Sequence, residues 1–531
     1  MIGLKTLKKK YPVVLIVAIA ALLRLAFLPL AQVVDADAVT RMFMAQEWWD
    51  NPSLITEGVW PPLHQYFYGI VYGCTGNLQT IPILVSILLA SLAAWPMYLF
   101  VQREFNEKAA FWIALALALS PVLFRNSYHT LSGTPFVFLL LFSMAHLVKA
   151  WKQPNLKSAI WAGVFMTLAC GFRYEGWMLL AVFTGLGLIQ RAWKETAVFW
   201  LVSMIFPLFW MIGNYAAHQD FFFGLSGAYD WNVVQEGVNN YLPRDIMLLR
   251  WFFFPASWFF LFSPILVGAV IIALWKALRT KQFNWNQWRW GGVFLLLLVT
   301  FIYKSHEGTL LNQHRFTSSL IVFSLPMLAL IWDLNVHWLK RTAQIGILSL
   351  LPLSFIWMKP AYQNAFPDGS STHYALEHFQ NISNPGMNAI PRLKNQEIVK
   401  IETEISKHLQ PNSGLILDFI DWESTYYIAL QSNLKRDQLF IFNGAANAKN
   451  YGSIMGEVVK RYPKGVLMVN RGSGMVEMIE FYGSRSRDED YFKILRQEAR
   501  ILESSDSFME VTLLAKFDDI IIYSYKRKLR R

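Results

Sequence analysis

Cysteine is nearly missing from this chain of 531 residues; only Cys74 and Cys170 occur. Two distant thiols give neither a disulfide framework nor a zinc-ligand spacing, and they read as free thiols. Charge is scarce too, at 16% of residues against 54% hydrophobic and 16% aromatic. Soluble domains carry roughly a quarter charged residues, so an ordinary soluble enzyme is excluded. Acidic residues are outnumbered by basic ones, 36 to 48, for a net charge of +12. The basic residues nevertheless fall in short clusters between apolar runs, as cytoplasmic loops do, so nucleic acid is not an expected partner. No internal repeat and no low-complexity tract is present.

What the chain does have is a series of long apolar runs. Lys5, Lys8, Lys9 and Lys10 precede the first, from Val13 to about Leu30, which reads as an uncleaved anchor because so many runs follow it. Further spans are expected near 81–101, 109–123, 134–148, 158–171, 178–190, 196–216, 251–275, 291–303, 316–332 and 343–358. That makes a polytopic α-helical membrane protein of about eleven spans with its N-terminus inside. The loops assigned inside hold Arg103 and Lys108, Lys149 with Lys152 and Lys157, Arg191 and Lys194, the stretch from Lys276 to Arg289, and Lys340 with Arg341. The pair flanking residues 172–177 is short for full spans and suits a hairpin that stops short of one face.

Domain organisation follows from a change in composition. Residues 1–358 form the membrane domain, with a large first outer loop at 35–80, and residues 359–531 form an outer domain. Pro360, Pro367, Asp368, Gly369 and Ser370 mark the linker between them. Beyond it, Ile398, Ile401, Ile405 and Leu409 have helical spacing over 395–409. Residues 414–419, 438–442 and 465–470 read as buried strands, and two more lie around Phe517, Asp518 and Asp519. The C-terminal domain is therefore expected to be soluble and α/β. Gly472, Ser473 and Gly474 lack phosphate-loop spacing and read as a turn.

Most of the chemistry-bearing side chains lie in loops assigned outside. Asp35 and Asp37 follow the first span, where an acidic group is costly unless it has a partner or a task. Either can serve as a general base toward an acceptor hydroxyl, Asp35 being the first choice and Asp37 the alternative. An aspartate just outside a helix also caps it, and Asp37 ahead of 38–49 fits that role. Arg173, Lys304 and Arg315 are the cations suited to a departing phosphate, although such residues also snorkel to headgroups. Together with Glu175, His64 and Arg125 they complete the substrate-binding candidates. His64, His129, His306 and His314 could join the aspartates around a divalent Mg or Mn ion, but none has ligand spacing and ordinary interfacial hydrogen bonding accounts for them. Trp48, Trp49, Trp60, Tyr66, Tyr68 and Tyr72 read as an interfacial belt whose faces can also stack on sugars.

Several elements, taken in order, resemble the GT-C glycosyltransferases that use polyprenyl-phosphate sugars, a superfamily that includes protein O-mannosyltransferases and lipid A aminoarabinose transferases. They are Asp35-Ala36-Asp37; Trp60-Pro61-Pro62-Leu63; Ser120-Pro121 with Arg125; Leu131-Ser132-Gly133-Thr134-Pro135; Arg173-Tyr174-Glu175-Gly176; and His314-Arg315-Phe316. The resemblance implies a catalytic aspartate at Asp35 or Asp37, basic side chains of later outer loops on the donor phosphate, and two interfacial helices at 38–49 and 64–72. It also implies a lipid-linked sugar donor and an acceptor that is protein, lipid or polysaccharide. The chain departs from the O-mannosyltransferase pattern, which has an Asp-Glu pair in that loop. It departs from the oligosaccharyltransferases as well, because Trp48-Trp49-Asp50 lies in the first loop and continues with Asn51. The alternative is a transporter or flippase of lipid-linked saccharides, which predicts mid-span charges and paired broken helices; a receptor-like scaffold is a third class. Short loops and few cysteines fit a bacterial inner membrane, with the N-terminus cytoplasmic and the C-terminal domain periplasmic.

Overall fold

The computed structural model describes residues 11–32, 34–230, 244–282, 285–307, 309–310, 313–334, 336–354, 396–420, 422–442, 451–470 and 509–528. The N-terminal lysines, the linker at 360–370, the turn at 472–474 and the end of the last expected span lie outside these residues. Packing divides the chain into two compact units that interleave along the sequence. One is Met1–Ala31, Ser53–His64 and Ile83–Pro391; the other is Gln32–Pro52, Gln65–Pro82 and Arg392–Arg531.

The first unit is helical. Among the described residues four helices are long and apolar enough to cross a membrane: Pro12–Leu30, Thr80–Glu104, Gly133–Lys152 and Trp193–His218. Leu156–Phe172, Glu175–Ile189 and Thr317–Asp333 are shorter apolar helices, so the hairpin flanking residues 172–177 is short in the structure as in the sequence.

Two expected spans are corrected. The stretch 251–275 is not one continuous helix but two, Arg250–Phe262 and Pro264–Arg279, bent by 94°, as in a broken span or a re-entrant loop. Ser263 sits there at φ +79°, and Pro264 has no N–H to continue the first helix. Likewise 109–123 breaks at Ser120, whose ψ of 124° is what the following Pro121 demands, giving Glu107–Leu119 and the short Pro121–Asn126.

Close helix packing uses small residues, as expected where lipid gives no hydrophobic drive between helices. A Cβ at Gly163 would come 2.6 Å from the Val202 side chain, and one at Gly187 would come 2.1 Å from the Thr196 hydroxyl. At one end of the bundle a buried ionic knot gathers four helix ends. Glu104 pairs with Arg289, whose other arm reaches Gln190. Trp290 Nε1 donates to Glu104 at 3.0 Å, and Lys152 lies 3.4 Å from its other oxygen. Loops assigned to the inner side by charge, holding Arg103, Lys152 and Arg289, thus meet at one end, where Asn106 also donates to Asp333 at 2.8 Å.

The second unit contains a five-stranded sheet: β1 (Gly414–Asp418), β2 (Leu439–Phe442), β3 (Lys464–Asn470), β4 (Met509–Lys516) and β5 (Ile520–Arg527). Their order is β2-β1-β3-β5-β4, parallel from β2 to β3 and antiparallel beyond. The fully buried runs of β1 and β3 explain why they read as apolar segments. β4 and β5 close through a tight turn at Asp518 and Asp519, with Phe517 and Ile520 exchanging backbone bonds of 2.8 and 3.2 Å. Glu397–His408 buries Ile398, Ile401 and Ile405, the positions with helical spacing.

The core of this unit also takes in two helices from residues 35–80. Ala36–Asp50 supplies Val39, Met42, Phe43 and Ala45, and Leu63–Thr75 supplies Tyr68, to the cluster containing Tyr427, Leu430 and Leu434. Asp418, at the end of β1, accepts from Phe419 N at 2.9 Å and from Asn470 N at 3.0 Å. Burial lifts its carboxyl to about 7 despite those two bonds.

Replacing Glu104 with Gln leaves Arg289 buried beside a neutral partner, a loss of about 3 kcal/mol for pairs of this kind. The melting midpoint of the detergent-solubilised protein should fall by several degrees. For Asp418 the folded carboxyl titrates above the unfolded one, so its contribution to stability is fullest below pH about 4 and is lost as pH rises through about 7. Melting should therefore drop between pH 5.5 and 8, and Asp418→Asn should flatten that drop; a drop of the same size in the variant would show that another group is responsible.

Candidate active site

The site is built from short turns at one end of the first unit. Leu156–Phe172 and Glu175–Ile189 are joined by only Arg173 and Tyr174, with Arg173 extended as the C-cap of the first helix. This tight connection points Arg173 back at Glu175. Arg173 Nε donates to both carboxylate oxygens at 3.0 Å, and its Nη2 reaches Oε1 as well. The fork suits guanidinium planarity, which Lys would not reproduce.

Phe316 brings the cations together. Arg173 Cζ lies 5.3 Å from its ring centroid and Arg315 Cζ 5.4 Å from the same centroid, both within cation–π range. Arg315 and Phe316 lie in the 3-10 turn His314–Phe316, which leads into Thr317–Ser324. Pro121–Asn126, carrying half-buried Arg125, packs against that turn. Gly133 passes beside Arg173, since a Cβ there would come 3.4 Å from Nη1. Lys304 is exposed in the last turn of Trp285–His306. The Arg173–Glu175 pair and the sequence-distant Arg315 are thus joined through one ring.

The element at residues 60–64 is fastened to the same unit. His64 is buried and its Nε2 lies 2.6 Å from the Thr130 carbonyl; a carbonyl only accepts, so Nε2 carries the proton. Tyr174 donates to Val59 O and receives a bond from Trp210 Nε1, both at 3.0 Å. Gly58 N donates to Asn214 at 2.9 Å. His64 helps hold the loop, as do Tyr174, which lies in the Arg173-Tyr174-Glu175-Gly176 element, and Trp210 and Asn214, which the sequence does not single out. Nothing local marks the last two, because each works through a partner many residues away.

The acidic pair belongs to the second unit. Asp35, not Asp37, is the N-cap of Ala36–Asp50, and it accepts from Asp37 N at 3.0 Å and Ala38 N at 3.3 Å. The capping role assigned to Asp37 is corrected accordingly: the helix begins two residues earlier, which makes Asp37 an exposed member of its first turn. Both carboxylates sit at the N-terminal end of this helix.

Among the described residues no three His, Cys, Asp or Glu side chains gather closely enough to hold a metal. His306 instead lies against Trp251, ring centroids 4.7 Å apart. Cys74 is exposed and Cys170 buried, both as free thiols.

Residues 59–213 match the family model described as dolichyl-phosphate-mannose-protein mannosyltransferase, a segment that holds His64, Arg125, Arg173 and Glu175. Over nearly the whole chain the structure is similar to that of ArnT from Cupriavidus metallidurans bound to undecaprenyl phosphate. That match has a TM-score of 0.57 and 13% identity, covering 96% of this chain and 97% of the other. The fold is that of the GT-C glycosyltransferases. The apo form of the same ArnT aligns over the same shares at 13% identity with a TM-score of 0.55. An oligosaccharyltransferase from Archaeoglobus fulgidus in the apo form aligns at 0.45 and 10% identity, covering 96% of this chain and 75% of its own. No curated protein sequence matches the chain. The small sheet at the C-terminal end of this GT-C fold accounts for the α/β pattern in the sequence.

Glu175→Ala removes the carboxylate that holds Arg173 at a place where the two side chains are 21% and 15% exposed. Charge-assisted bonds of this kind are each worth about 1.5–3 kcal/mol. The melting midpoint should fall, and Arg173→Lys should recover little of the fork. A midpoint unchanged by Glu175→Ala would mean that the pair does not hold the turn.

Proposed function

We propose that this chain is an integral membrane glycosyltransferase that moves a sugar from a polyprenyl-phosphate carrier to an acceptor on the outer face, with inversion at the anomeric carbon. The acceptor is a protein, a lipid or a polysaccharide, and the membrane is a bacterial inner membrane with the N-terminus cytoplasmic and the C-terminal sheet periplasmic. The observation that carries the proposal is the placement of Arg173 and Arg315 on one Phe316 ring, in a chain with the fold of a protein crystallised with undecaprenyl phosphate.

In the proposed step the acceptor hydroxyl oxygen attacks the anomeric carbon as the carbon–oxygen bond to phosphate breaks. The bonding electrons leave with the polyprenyl phosphate, and the hydroxyl proton passes to Asp35 or Asp37. No acid is needed for the leaving group, because phosphate departs as a stable anion. Its growing negative charge is what Arg173, Arg315 and Lys304 stabilise, and guanidinium forks suit phosphate oxygens. Glu175 keeps Arg173 aimed, and Arg125 adds positive charge beside the turn bearing Arg315.

The test is transfer of radiolabelled sugar from a panel of polyprenyl-phosphate donors by the purified protein and by its Asp35→Asn and Asp37→Asn variants. One variant should lose about 100-fold or more in turnover while still binding donor, the usual contribution of a general base. If wild-type protein moves no sugar from any donor and instead carries the lipid between vesicle leaflets, the transporter alternative replaces the enzyme.

A further inference from the structure

The helix that carries the acidic pair at its start is gripped at its far end by the C-terminal sheet. Gln46, three turns along Ala36–Asp50, is 2% exposed, and both ends of its amide are engaged. Its Oε1 accepts from the backbone N–H of Arg436 at 3.1 Å, in the 3-10 turn Arg436–Gln438 that leads into β2. Its Nε2 donates to Tyr72 OH at 3.0 Å, on the neighbouring helix Leu63–Thr75. One side chain thus ties the acidic helix, its companion helix and the sheet together.

The other contacts at this end allow little slack. A Cβ at Gly69 would fall 2.5 Å from the Trp48 ring and one at Gly73 only 1.9 Å from that of Trp49, so the two helices are pressed together over successive turns. The 3-10 turn that holds Gln46 is itself fixed by Gln438, whose side chain accepts from Lys435 N at 3.0 Å and donates to Pro411 O at 2.7 Å and Ser413 O at 3.0 Å. Lys435 adds a 3.2 Å pair with Asp50, exposed on both sides and therefore a weak contribution. A buried amide bonded at both ends is the stronger constraint, because a buried polar group costs free energy when its partners are lost.

We infer that Gln46 is a positioning residue through which the C-terminal sheet sets the placement of the Asp35–Asp37 turn. The inference rests on the transferase proposal above. A rigid helix carries a shift at Gln46 to its first turn, and misplacing a reacting group by about 1 Å can cost on the order of 100-fold in rate. The C-terminal unit then acts on the proposed base itself, in addition to any part it has in recognising the acceptor.

Three variants of the full-length protein test this. Gln46→Leu keeps the volume and removes both bonds. Gln46→Glu keeps oxygen acceptors for the Arg436 N–H and for a proton from Tyr72. Arg436→Pro removes the N–H from the sheet side, at the first position of a 3-10 turn where proline fits and after Lys435, whose extended ψ of 154° proline requires. Turnover should fall about tenfold in Gln46→Leu and in Arg436→Pro with KM for the lipid donor within twofold. The double variant should be no worse than either alone, and Gln46→Glu should retain most activity.

Amide hydrogen exchange supplies an arm independent of catalysis: residues 36–50 should exchange at least tenfold faster in Gln46→Leu. Unchanged turnover, or unchanged exchange over residues 36–50, overturns the inference. An equal fall in kcat for Leu and Glu at this position overturns it too. If wild-type protein transfers no sugar, the functional proposal fails, and the exchange arm still decides whether the sheet seats the helix.

Discussion

A cation placed in an apolar helical bundle must find an anion or an electron-rich face, and this constraint organises both ends of the first unit. At one end Glu104 answers Arg289 and Lys152, with Trp290 completing its bonds. At the other, Glu175 answers Arg173, and the Phe316 ring lies under both Arg173 and Arg315. The first arrangement is a closed knot of helix ends. The second gathers two guanidinium groups from separate turns around a single ring, one of them also held by Glu175. That difference is the physical reason for assigning phosphate chemistry to the second end and architecture to the first.

The second unit solves a different problem. An acidic pair at the start of a helix needs a firm seat if it is to work as a base, and a fifteen-residue helix is marginal on its own. Packing supplies that seat. Val39, Met42, Phe43 and Ala45 enter the same core as Tyr427 and Leu430, and Asp35 closes the first turn by capping it. The Trp48-Trp49 pair, which the sequence suggests as a membrane belt or sugar platform, also packs on Gly69 and Gly73.

Much of this was legible in the sequence because it depends on local pattern. All five strands appear where apolar runs and the Asp518-Asp519 turn suggested them, and the helix at 397–408 follows its isoleucine spacing. The short hairpin around Arg173 was legible from length alone. Breaks were harder. Pro121 and Pro264 were visible, but whether a proline kinks a span or ends it depends on packing, and Ser263 at positive φ gives no signal in a single sequence. Asp35 and Asp37 differ by two residues in their claim to cap the same helix, within the usual uncertainty of a helix start. Tyr174, Trp210, Gln46 and the Glu104–Arg289 pair act over long separations, which periodicity cannot reach.

Arg173 and Arg315 are proposed to hold one phosphate together. This is tested most directly by measuring undecaprenyl phosphate binding to detergent-solubilised protein by native mass spectrometry, for wild type, Arg173→Ala, Arg315→Ala and the double variant. Each single variant should weaken binding about 10- to 100-fold, and the double variant should weaken it by less than the product of the two, because both side chains address the same anion. Wild-type affinity retained by both single variants would rule out a shared phosphate and leave the Phe316 cluster as a structural feature of the bundle.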